Sequence, residues 1–216
     1  MTSRPRVVVI GGGGHAKVVL DILIDRADVE LAGCVTAVTT VSTVLGVPVL
    51  GADDVLPAVA ASGVTHAFVA VGENRLRAKL QRHVTELGFS LINAISRSAV
   101  LSARVNLGTG IAIMPGAIVN VDTTIGDGAI INTGASVDHD GAIGAFAHIG
   151  PGSTLAGNVT VGEGTFLGAG TTVIPRRTIG AWTTSGAGAV VVQDLPGGVL
   201  AVGVPARVRS VRESRS

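Results

Sequence analysis

Residues 125–160 read IGDGAI INTGAS VDHDGA IGAFAH IGPGST LAGNVT, a run of hexapeptides that each begin with an aliphatic side chain. The same spacing continues in one register from Leu101 to Val191, and only Ser185 in this series is not aliphatic. Neither a helix nor a simple alternating strand has a period of six. Glycine often follows the aliphatic residue, as a tight corner would require. Stacked strand-and-corner units bury a continuous aliphatic column, so the sequence predicts a parallel β-helix.

The first part of the chain has a different pattern, in which apolar runs alternate with segments of helical spacing. The predicted strands are residues 6–10, 29–35 and 66–71, and the predicted helices are residues 15–25, 53–61 and a segment from an N-cap at Asn74 to Gly88. Strands that alternate with helices form parallel sheets with helices on their faces. We therefore predict a small Rossmann-like α/β domain here.

The change of pattern places a domain boundary after residue 94. Residues 1–94 are predicted to form the Rossmann-like domain and residues 95–216 the β-helix domain. Beyond Val191 the period of six fails, and prolines and glycines follow. The C-terminal segment is therefore predicted to be an irregular tail with basic residues at its end.

Composition argues against several classes of partner and location. The net charge is +1, with four Phe, one Trp and no Tyr, which favours neither nucleic acid nor an anionic membrane surface as partner. The apolar run at residues 7–10 is too short to span a bilayer, and the N-terminal residues do not resemble a signal peptide. The single cysteine, Cys34, excludes an internal disulfide. These features predict a cytoplasmic protein.

The glycine loop at residues 11–14 is the first candidate site. Gly11, Gly13 and Ala16 match the pattern G-x-G-x-x-G/A between a strand and a helix, where backbone N–H groups can hold a phosphate. A dinucleotide site would also need an acid after the second strand, and that place holds Thr36 and Ala37. The loop alone therefore fits a phosphate site or a tight turn that lets helix and strand pack, and His15 adds a polar donor.

His139 is the candidate for acid–base chemistry in the repeat domain. It lies between Asp138 and Asp140, two positions after a core aliphatic residue, so it should point outward near a corner. An imidazole beside a carboxylate suits a general base near neutral pH, and a surface histidine in a polar turn is the alternative. The domain has one further histidine, His148, whereas catalytic zinc sites typically use three imidazoles, so no metal site is predicted.

The spacing also predicts which residues stack. If three hexapeptides form one coil, residues eighteen apart lie above one another, and Gly157 stacks on His139. A thioester carbonyl could approach the glycine backbone and accept an N–H bond, as in an oxyanion site. Asp122 would stack under Asp140, and these like charges would need a separating group.

Four stretches in this chain resemble the hexapeptide-repeat sugar O- and N-acyltransferases of the sialic acid acetyltransferase and bacillosamine-pathway acetyltransferase type. They are residues 8–16 (VVIGGGGHA), 71–77 (VGENRLR), 131–140 (INTGASVDHD) and 203–207 (GVPAR). The resemblance implies a left-handed β-helix, a homotrimer with active sites between subunits, acetyl-CoA as co-substrate and no metal. It also implies that residues 1–94 bind a nucleotide-linked sugar.

The resemblance assigns roles to individual residues. His139 is implied to be the general base, and Asp140 its supporting carboxylate. The residues implied to contact the sugar nucleotide are Gly11, Gly13, Gly14, His15 and Asn132, and those implied to contact acetyl-CoA are His148, Gly157 and Arg207. A basic side chain at Arg207 suits the phosphates of CoA.

The resemblance implies N-acetylation of a 4-amino-4,6-dideoxy sugar on a nucleotide, in bacterial surface-glycan (O-antigen) synthesis. Thr36 and Ala37 stand where relatives that take UDP-sugars carry acids, so a GDP-linked sugar, perosamine, is favoured over a UDP-linked one. Guanine N–H groups would want a carboxylate, which Asp53, Asp54 or Glu73 could supply. The alternatives are sialic-acid-type O-acetylation, a metal-dependent lyase and a non-catalytic nucleotide-binding assembly protein.

Overall fold

The structure, a computed structural model, describes residues 4–37 and 40–211, and at Val211 the backbone alone. The chain divides into two compact units between Ala94 and Ile95. We call them the N-terminal unit and the C-terminal unit.

The N-terminal unit is an α/β layer built on one six-stranded sheet. Its elements are β1 (Arg6–Ile10), α1 (Gly14–Ile24), β2 (Glu30–Val35), β3 (Thr43–Val44), β4 (Val47–Gly51), a 3₁₀ turn (Asp53–Val55), α2 (Leu56–Ala61), β5 (His66–Val69), α3 (Asn74–Glu86) and β6 (Ser90–Leu91). The strand order is β3-β4-β2-β1-β5-β6, and only the described pair β3 and β4 is antiparallel. The β-branched residues of β1 are buried, as a central parallel strand requires.

Two details of this unit differ from the sequence predictions. The N-cap of α3 is Glu73, not Asn74, because the Glu73 carboxylate accepts the N–H groups of Arg75 and Leu76. The edge hairpin of β3 and β4 was not predicted from the sequence. Gly46 lies between the two strands and Pro48 lies within β4, and both residue types weaken the pattern expected of a strand. Both misses are local, and the predicted parallel core of the sheet is confirmed.

The C-terminal unit is a left-handed parallel β-helix of two-residue strands. Its strands are β7 (Ala94–Ile95), β8 (Val100–Leu101), β9 (Asn106–Leu107), β10 (Ala112–Ile113), β11 (Ile118–Val119), β12 (Thr124–Ile125), β13 (Ile130–Ile131), β14 (Ser136–Val137), β15 (Ala142–Ile143), β16 (His148–Ile149), β17 (Thr154–Leu155), β18 (Thr160–Val161), β19 (Phe166–Leu167), β20 (Thr172–Val173), β21 (Thr178–Ile179), β22 (Thr184–Ser185) and β23 (Val190–Val191). Each strand from β8 to β20 pairs in parallel with the strand eighteen residues further on, as Ile118 does with Ser136. The predicted fold class is confirmed.

Three flat faces result. Face I contains β10, β13, β16, β19 and β22, face II contains β8, β11, β14, β17, β20 and β23, and face III contains β9, β12, β15, β18 and β21. The aliphatic residue of each hexapeptide points inward and is buried in one continuous core. Ser185 is tolerated in this column because its hydroxyl accepts the Gly168 N–H at 3.1 Å and shares a hydrogen bond with Thr171 at 2.8 Å.

The corners between the faces require backbone with positive φ. We call the corner from face I to II the first corner, II to III the second, and III to I the third. Glycine takes the positive φ at the first corner, for example at Gly134. The second corner uses side-chain-bearing residues instead, namely Asp122, Asp140, Asn158 and Arg176. Aspartate and asparagine tolerate this conformation better than most residues, so the second corner displays polar groups.

The sequence predicts an irregular tail after Val191, and this prediction is wrong for residues 199–211, which form two strands. β24 (Val199–Val202) extends face I beside β22, and β25 (Arg207–Val211) pairs antiparallel with it. The period of six fails because the chain turns back on itself rather than starting another coil. The basic end of the tail, residues 212–216, lies outside the described residues.

Among the described residues, no helix has the length and apolar character needed to cross a bilayer.

Candidate active site

His139 lies at the second corner, in the turn between β14 and β15. Its side chain is 54% exposed, in agreement with the outward orientation predicted from the sequence. Asp140, with φ of 56°, turns its carboxylate back so that Oδ2 lies 2.8 Å from Nδ1 of His139. With Nδ1–H donating to this carboxylate, Nε2 carries the ring's basic lone pair.

Two carboxylates make this imidazole more basic. The hydrogen bond that His139 donates to Asp140 raises the pKa of His139 above its ordinary value, and the charge of Asp138 raises it further. His139 therefore holds a proton more tightly than an isolated imidazole does, which suits a group that must accept one.

Gly157 lies directly against the His139 ring. A Cβ added at Gly157 would come within 2.5 Å of both Cε1 and Nε2 of the imidazole. The coil above is anchored here by the Asn158 N–H, which donates to the His139 carbonyl at 2.9 Å. The predicted stacking of Gly157 on His139 is thus confirmed, and the absence of a side chain leaves room for the ring.

Two residues of the preceding coil hold the His139 turn in place, and neither was predicted from the sequence. Asn120 donates its side-chain N–H to Oδ1 of Asp138 at 2.8 Å, and the buried Thr123 donates to the Asp138 carbonyl at 3.0 Å. Asn120 precedes Asp138 by eighteen residues, so the spacing that predicts the Gly157 contact could also have identified this one. Asp122, which lies under Asp140, pairs with Arg104 at 2.9 Å, and this ion pair offsets the repulsion expected between the two stacked aspartates.

Asn132 and His148 form a second cluster, at the first corner and on face I. Oδ1 of the Asn132 side chain accepts the Thr133 N–H at 2.7 Å, so the side-chain nitrogen of Asn132 faces Nε2 of His148 at 2.9 Å. Nε2 of His148 is then the acceptor of this hydrogen bond. The ring is buried and packs edge-on against Phe166, with centroids 5.0 Å apart. Within one chain, this cluster and His139 occupy different corners.

The glycine loop leaves one side open. A Cβ at Gly11, where φ is 130°, would come within 2.6 Å of the Ala70 carbonyl, and one at Gly12 within 2.8 Å of Thr36 Oγ1. At Gly13 and Gly14 a Cβ would meet nothing within 4 Å. The loop therefore packs closely through its first two glycines, and its last two leave space at the start of α1, where helix N–H groups point outward.

Arg77 lies behind this loop, although the sequence analysis did not single it out. The side chain is 1% exposed, and it donates to the carbonyls of Val71 and Gly72, each at 3.1 Å, and to Oδ1 of Asn74 at 2.9 Å. Burial lowers the pKa of Arg77 to about 10, which leaves it charged at neutral pH. Burial and the charge of Arg77 lower the pKa of His15 to about 4. His15 is therefore a neutral hydrogen-bonding group near pH 7.

This buried histidine predicts an acid-dependent loss of stability. The pKa of His15 is about 4 in the folded protein, against an ordinary value of 6.5. The free energy of unfolding that neutral His15 contributes is therefore fully present above pH 6.5 and is lost as the pH falls toward 4. The full loss amounts to about 3 kcal/mol. We expect the urea midpoint of His15→Asn to fall less than that of the wild type between about pH 7 and pH 4.5. His83→Asn, at an exposed position of α3, should follow the wild type; parallel acid dependence in all three proteins would contradict the prediction.

The three acids considered for guanine differ in availability. Both oxygens of Glu73 accept N–H bonds from α3, so this carboxylate serves as the helix cap. Asp53 and Asp54 are exposed in the 3₁₀ turn after β4. Thr36, which follows β2, donates its backbone N–H to the carbonyl of Gly51 at the end of β4. The two aspartates thus follow the strand that lies beside the end of β2, which is the place where a nucleotide site is expected to have an acid.

Arg207 lies on β25 and is exposed, with one guanidinium nitrogen 3.0 Å from the Ala206 carbonyl. Among residues 4–37 and 40–211, no group of three or more His, Cys, Asp or Glu side chains could hold a metal ion.

Comparison with known families places both units. Residues 6–84 match the family model described as the PglD N-terminal domain, and residues 141–175 match the model described as bacterial transferase hexapeptide (six repeats). The first model covers most of the N-terminal unit, and the second covers the coils that follow the His139 turn. Together they define a hexapeptide-repeat transferase.

Solved structures narrow the class. The chain is 53% identical to perosamine N-acetyltransferase from Caulobacter crescentus, solved as a histidine-to-asparagine variant with CoA and GDP-perosamine; the match covers 97% of this chain and 98% of that one, with a TM-score of 0.92. It is 36% identical to the acetyltransferase domain of PglB from Neisseria gonorrhoeae in complex with acetyl coenzyme A, over 96% and 100% of the chains, with a TM-score of 0.89. WeeI from Acinetobacter baumannii, at 24% identity over 94% and 99% and a TM-score of 0.83, shares the fold.

The chain belongs to the family of hexapeptide-repeat sugar N-acetyltransferases that includes the Caulobacter and Neisseria proteins. The family resemblance and the acyltransferase class inferred from the sequence are confirmed.

Proposed function

We propose that this protein is an acetyl-CoA-dependent N-acetyltransferase that acts on the 4-amino group of GDP-linked perosamine. The observation that carries the substrate is the 53% identity, over 97% of the chain, to an enzyme solved with CoA and GDP-perosamine. We assign the reaction to the synthesis of bacterial surface glycans, as the family resemblance implies, and to the cytoplasm, which the single cysteine favours.

The chemistry follows from the His139 corner. Nε2 of His139 takes a proton from the amine as its nitrogen forms a bond to the thioester carbonyl carbon. The Asp140 carboxylate, 2.8 Å from Nδ1, stabilises the imidazolium that results. The carbonyl oxygen becomes an oxyanion, and we assign its stabilisation to the backbone N–H of Gly157. The C–S bond then breaks, and CoA leaves as a thiolate that is protonated by the imidazolium or by water.

The arrangement of polar clusters supports a homotrimer with sites between subunits. His139 and Asp140 occupy the second corner, whereas Asn132 and His148 occupy the first corner and face I. Face II separates the two clusters within one chain, so a single protomer does not bring them together. Side-by-side packing would place the His139 corner of one protomer against the Asn132 and His148 cluster of the next, as the family resemblance implies.

The remaining assignments concern the ends of the substrates. We assign residues 1–94 to the nucleotide sugar, with Gly11 shaping the loop, the open positions Gly13 and Gly14 facing its phosphates, and neutral His15 as a hydrogen-bonding partner. We assign residues 95–216 to acetyl transfer. The exposed Arg207 is assigned to the phosphates of CoA.

Thiol release from acetyl-CoA by the purified protein tests the proposal. We expect release with GDP-perosamine and little with a UDP-linked 4-amino-4,6-dideoxy sugar offered separately. Release with the UDP-linked sugar alone would identify UDP rather than GDP as the nucleotide of the substrate. Release with a hydroxyl analogue but not with the amine would identify the enzyme as an O-acetyltransferase. Sugar-nucleotide binding without thiol release from any acceptor would favour the non-catalytic assembly protein.

A further inference from the structure

The turn that carries His139 contains a second carboxylate, and its contacts differ from those of Asp140. Asp140 bonds to the imidazole itself, whereas Oδ1 of Asp138 accepts the backbone N–H of His139 at 2.8 Å. The same oxygen accepts the side-chain N–H of Asn120, also at 2.8 Å, from the coil below. One carboxylate oxygen therefore ties the base's own backbone to the preceding coil.

We propose that Asp138 is a positioning residue for acetyl transfer, which together with Asn120 fixes the turn that bears His139 and supplies negative charge beside its imidazole. The inference rests on the proposed function, in which His139 is the base. Asp138 is half-buried. Thr123 donates to its backbone carbonyl, while Asn120 and the His139 N–H donate to its carboxylate, so both the backbone and the side chain of Asp138 are held in place. A base on an exposed corner needs such restraint, because a small displacement of a catalytic group lowers the rate steeply.

Charge supports the same assignment. The hydrogen bond from Asn120, followed by that from the His139 N–H, lowers the pKa of Asp138, so the group stays ionised. Its charge adds to the effect of Asp140 in raising the pKa of His139. The other described charged groups along this corner are Asp122, paired with Arg104, and, two coils above the His139 turn, Arg176 and Arg177, the latter paired with Asp194. A substitution at Asp138 leaves all of them in place.

Asp127 offers a matched control from another part of the β-helix. Its Oδ1 accepts the backbone N–H of Thr109 at 2.7 Å and the Thr109 hydroxyl at 3.2 Å, again across eighteen residues. It therefore makes the same kind of coil-to-coil bond without a bond to the His139 turn. Asp127→Asn and Asp127→Ala report what such a bond contributes to the scaffold alone.

The test compares four variants in the full-length protein by two measurements. The pKa of His139 is read from its ring Cε1–H signal by NMR, without substrate, and thiol release is measured across pH. In Asp138→Asn the amide oxygen can still accept both hydrogen bonds but the charge is gone. We expect a lower pKa of His139, an acidic limb of kcat/KM displaced to lower pH, and a plateau within about threefold of the wild type.

In Asp138→Ala the bonds are lost as well, and we expect the same displacement together with a plateau kcat about tenfold lower. Both Asp127 variants should keep the wild-type pKa of His139. If His139 titrates alike in the wild type and both Asp138 variants, or if the Asp127 variants change it equally, the inference is wrong. A wild type that releases no thiol would instead overturn the proposed function, and the NMR titration would still decide whether Asp138 acts on His139.

Discussion

Replacement of His139 by alanine should lower kcat by about 10²- to 10⁴-fold, the usual contribution of a positioned general base. The imidazole is the group at this corner whose Nε2 can accept the amine proton, since Nδ1 is engaged by Asp140 at 2.8 Å. The side chain is 54% exposed, so its removal leaves no buried cavity and the fold should persist. Steady-state kinetics at saturating acetyl-CoA measure the effect.

The pH dependence of the wild type gives the sign that this role requires. A base works when unprotonated, so kcat/KM should rise with pH through the pKa of His139. The hydrogen bond to Asp140 and the charge of Asp138 raise that pKa, which places the limb above pH 6.5. Asp140→Asn should move the limb to lower pH, because an uncharged amide oxygen replaces the carboxylate as the acceptor of the Nδ1–H bond and stabilises the imidazolium less.

His83→Ala supplies the control, since His83 is an exposed histidine on α3 in the N-terminal unit. It should retain wild-type kinetics. If His139→Ala retained more than about a tenth of the wild-type kcat while remaining folded, direct attack by an unassisted amine would replace the base mechanism.

The predictions from the sequence succeeded where one periodicity determines the structure. A period of six with one inward aliphatic residue predicts stacked strands and corners, and three such units to a coil give a repeat of eighteen residues, which the observed pairing of Ile118 with Ser136 follows. The contact of Gly157 with His139 could be predicted for the same reason. It is a consequence of stacking and requires no knowledge of side-chain conformation.

Contacts that depend on side-chain reach could not be predicted in this way. Glu73 displaces Asn74 as the cap of α3 because its longer side chain folds back onto two N–H groups, although asparagine is the residue type more often found at an N-cap. Arg77 has an ordinary sequence setting in a helix of polar residues, yet it is buried against carbonyls from the loop after β5. Its influence on the pKa of His15 arises only from the tertiary fold.

Gly157→Ala is the second substitution with a large expected effect, and we expect kcat to fall about 100-fold with the β-helix retained. Gly157 is not among the described residues with positive φ, so its backbone suits alanine. The added Cβ would lie 2.5 Å from Cε1 and Nε2 of His139, a distance at which one of them must move. The ring is the end of a side chain on an exposed corner, so it yields while the buried backbone stays.

A double-mutant cycle separates this displacement from other effects of the methyl group. Alanine keeps the backbone N–H at residue 157, so an oxyanion bond is preserved, and the loss should come through the imidazole. In a His139→Ala background the methyl group meets no ring, and Gly157→Ala should then change kcat by less than about threefold. If the two losses multiplied instead, the methyl group would be obstructing acetyl-CoA directly, and Gly157 would act through substrate contact rather than by making room for the base.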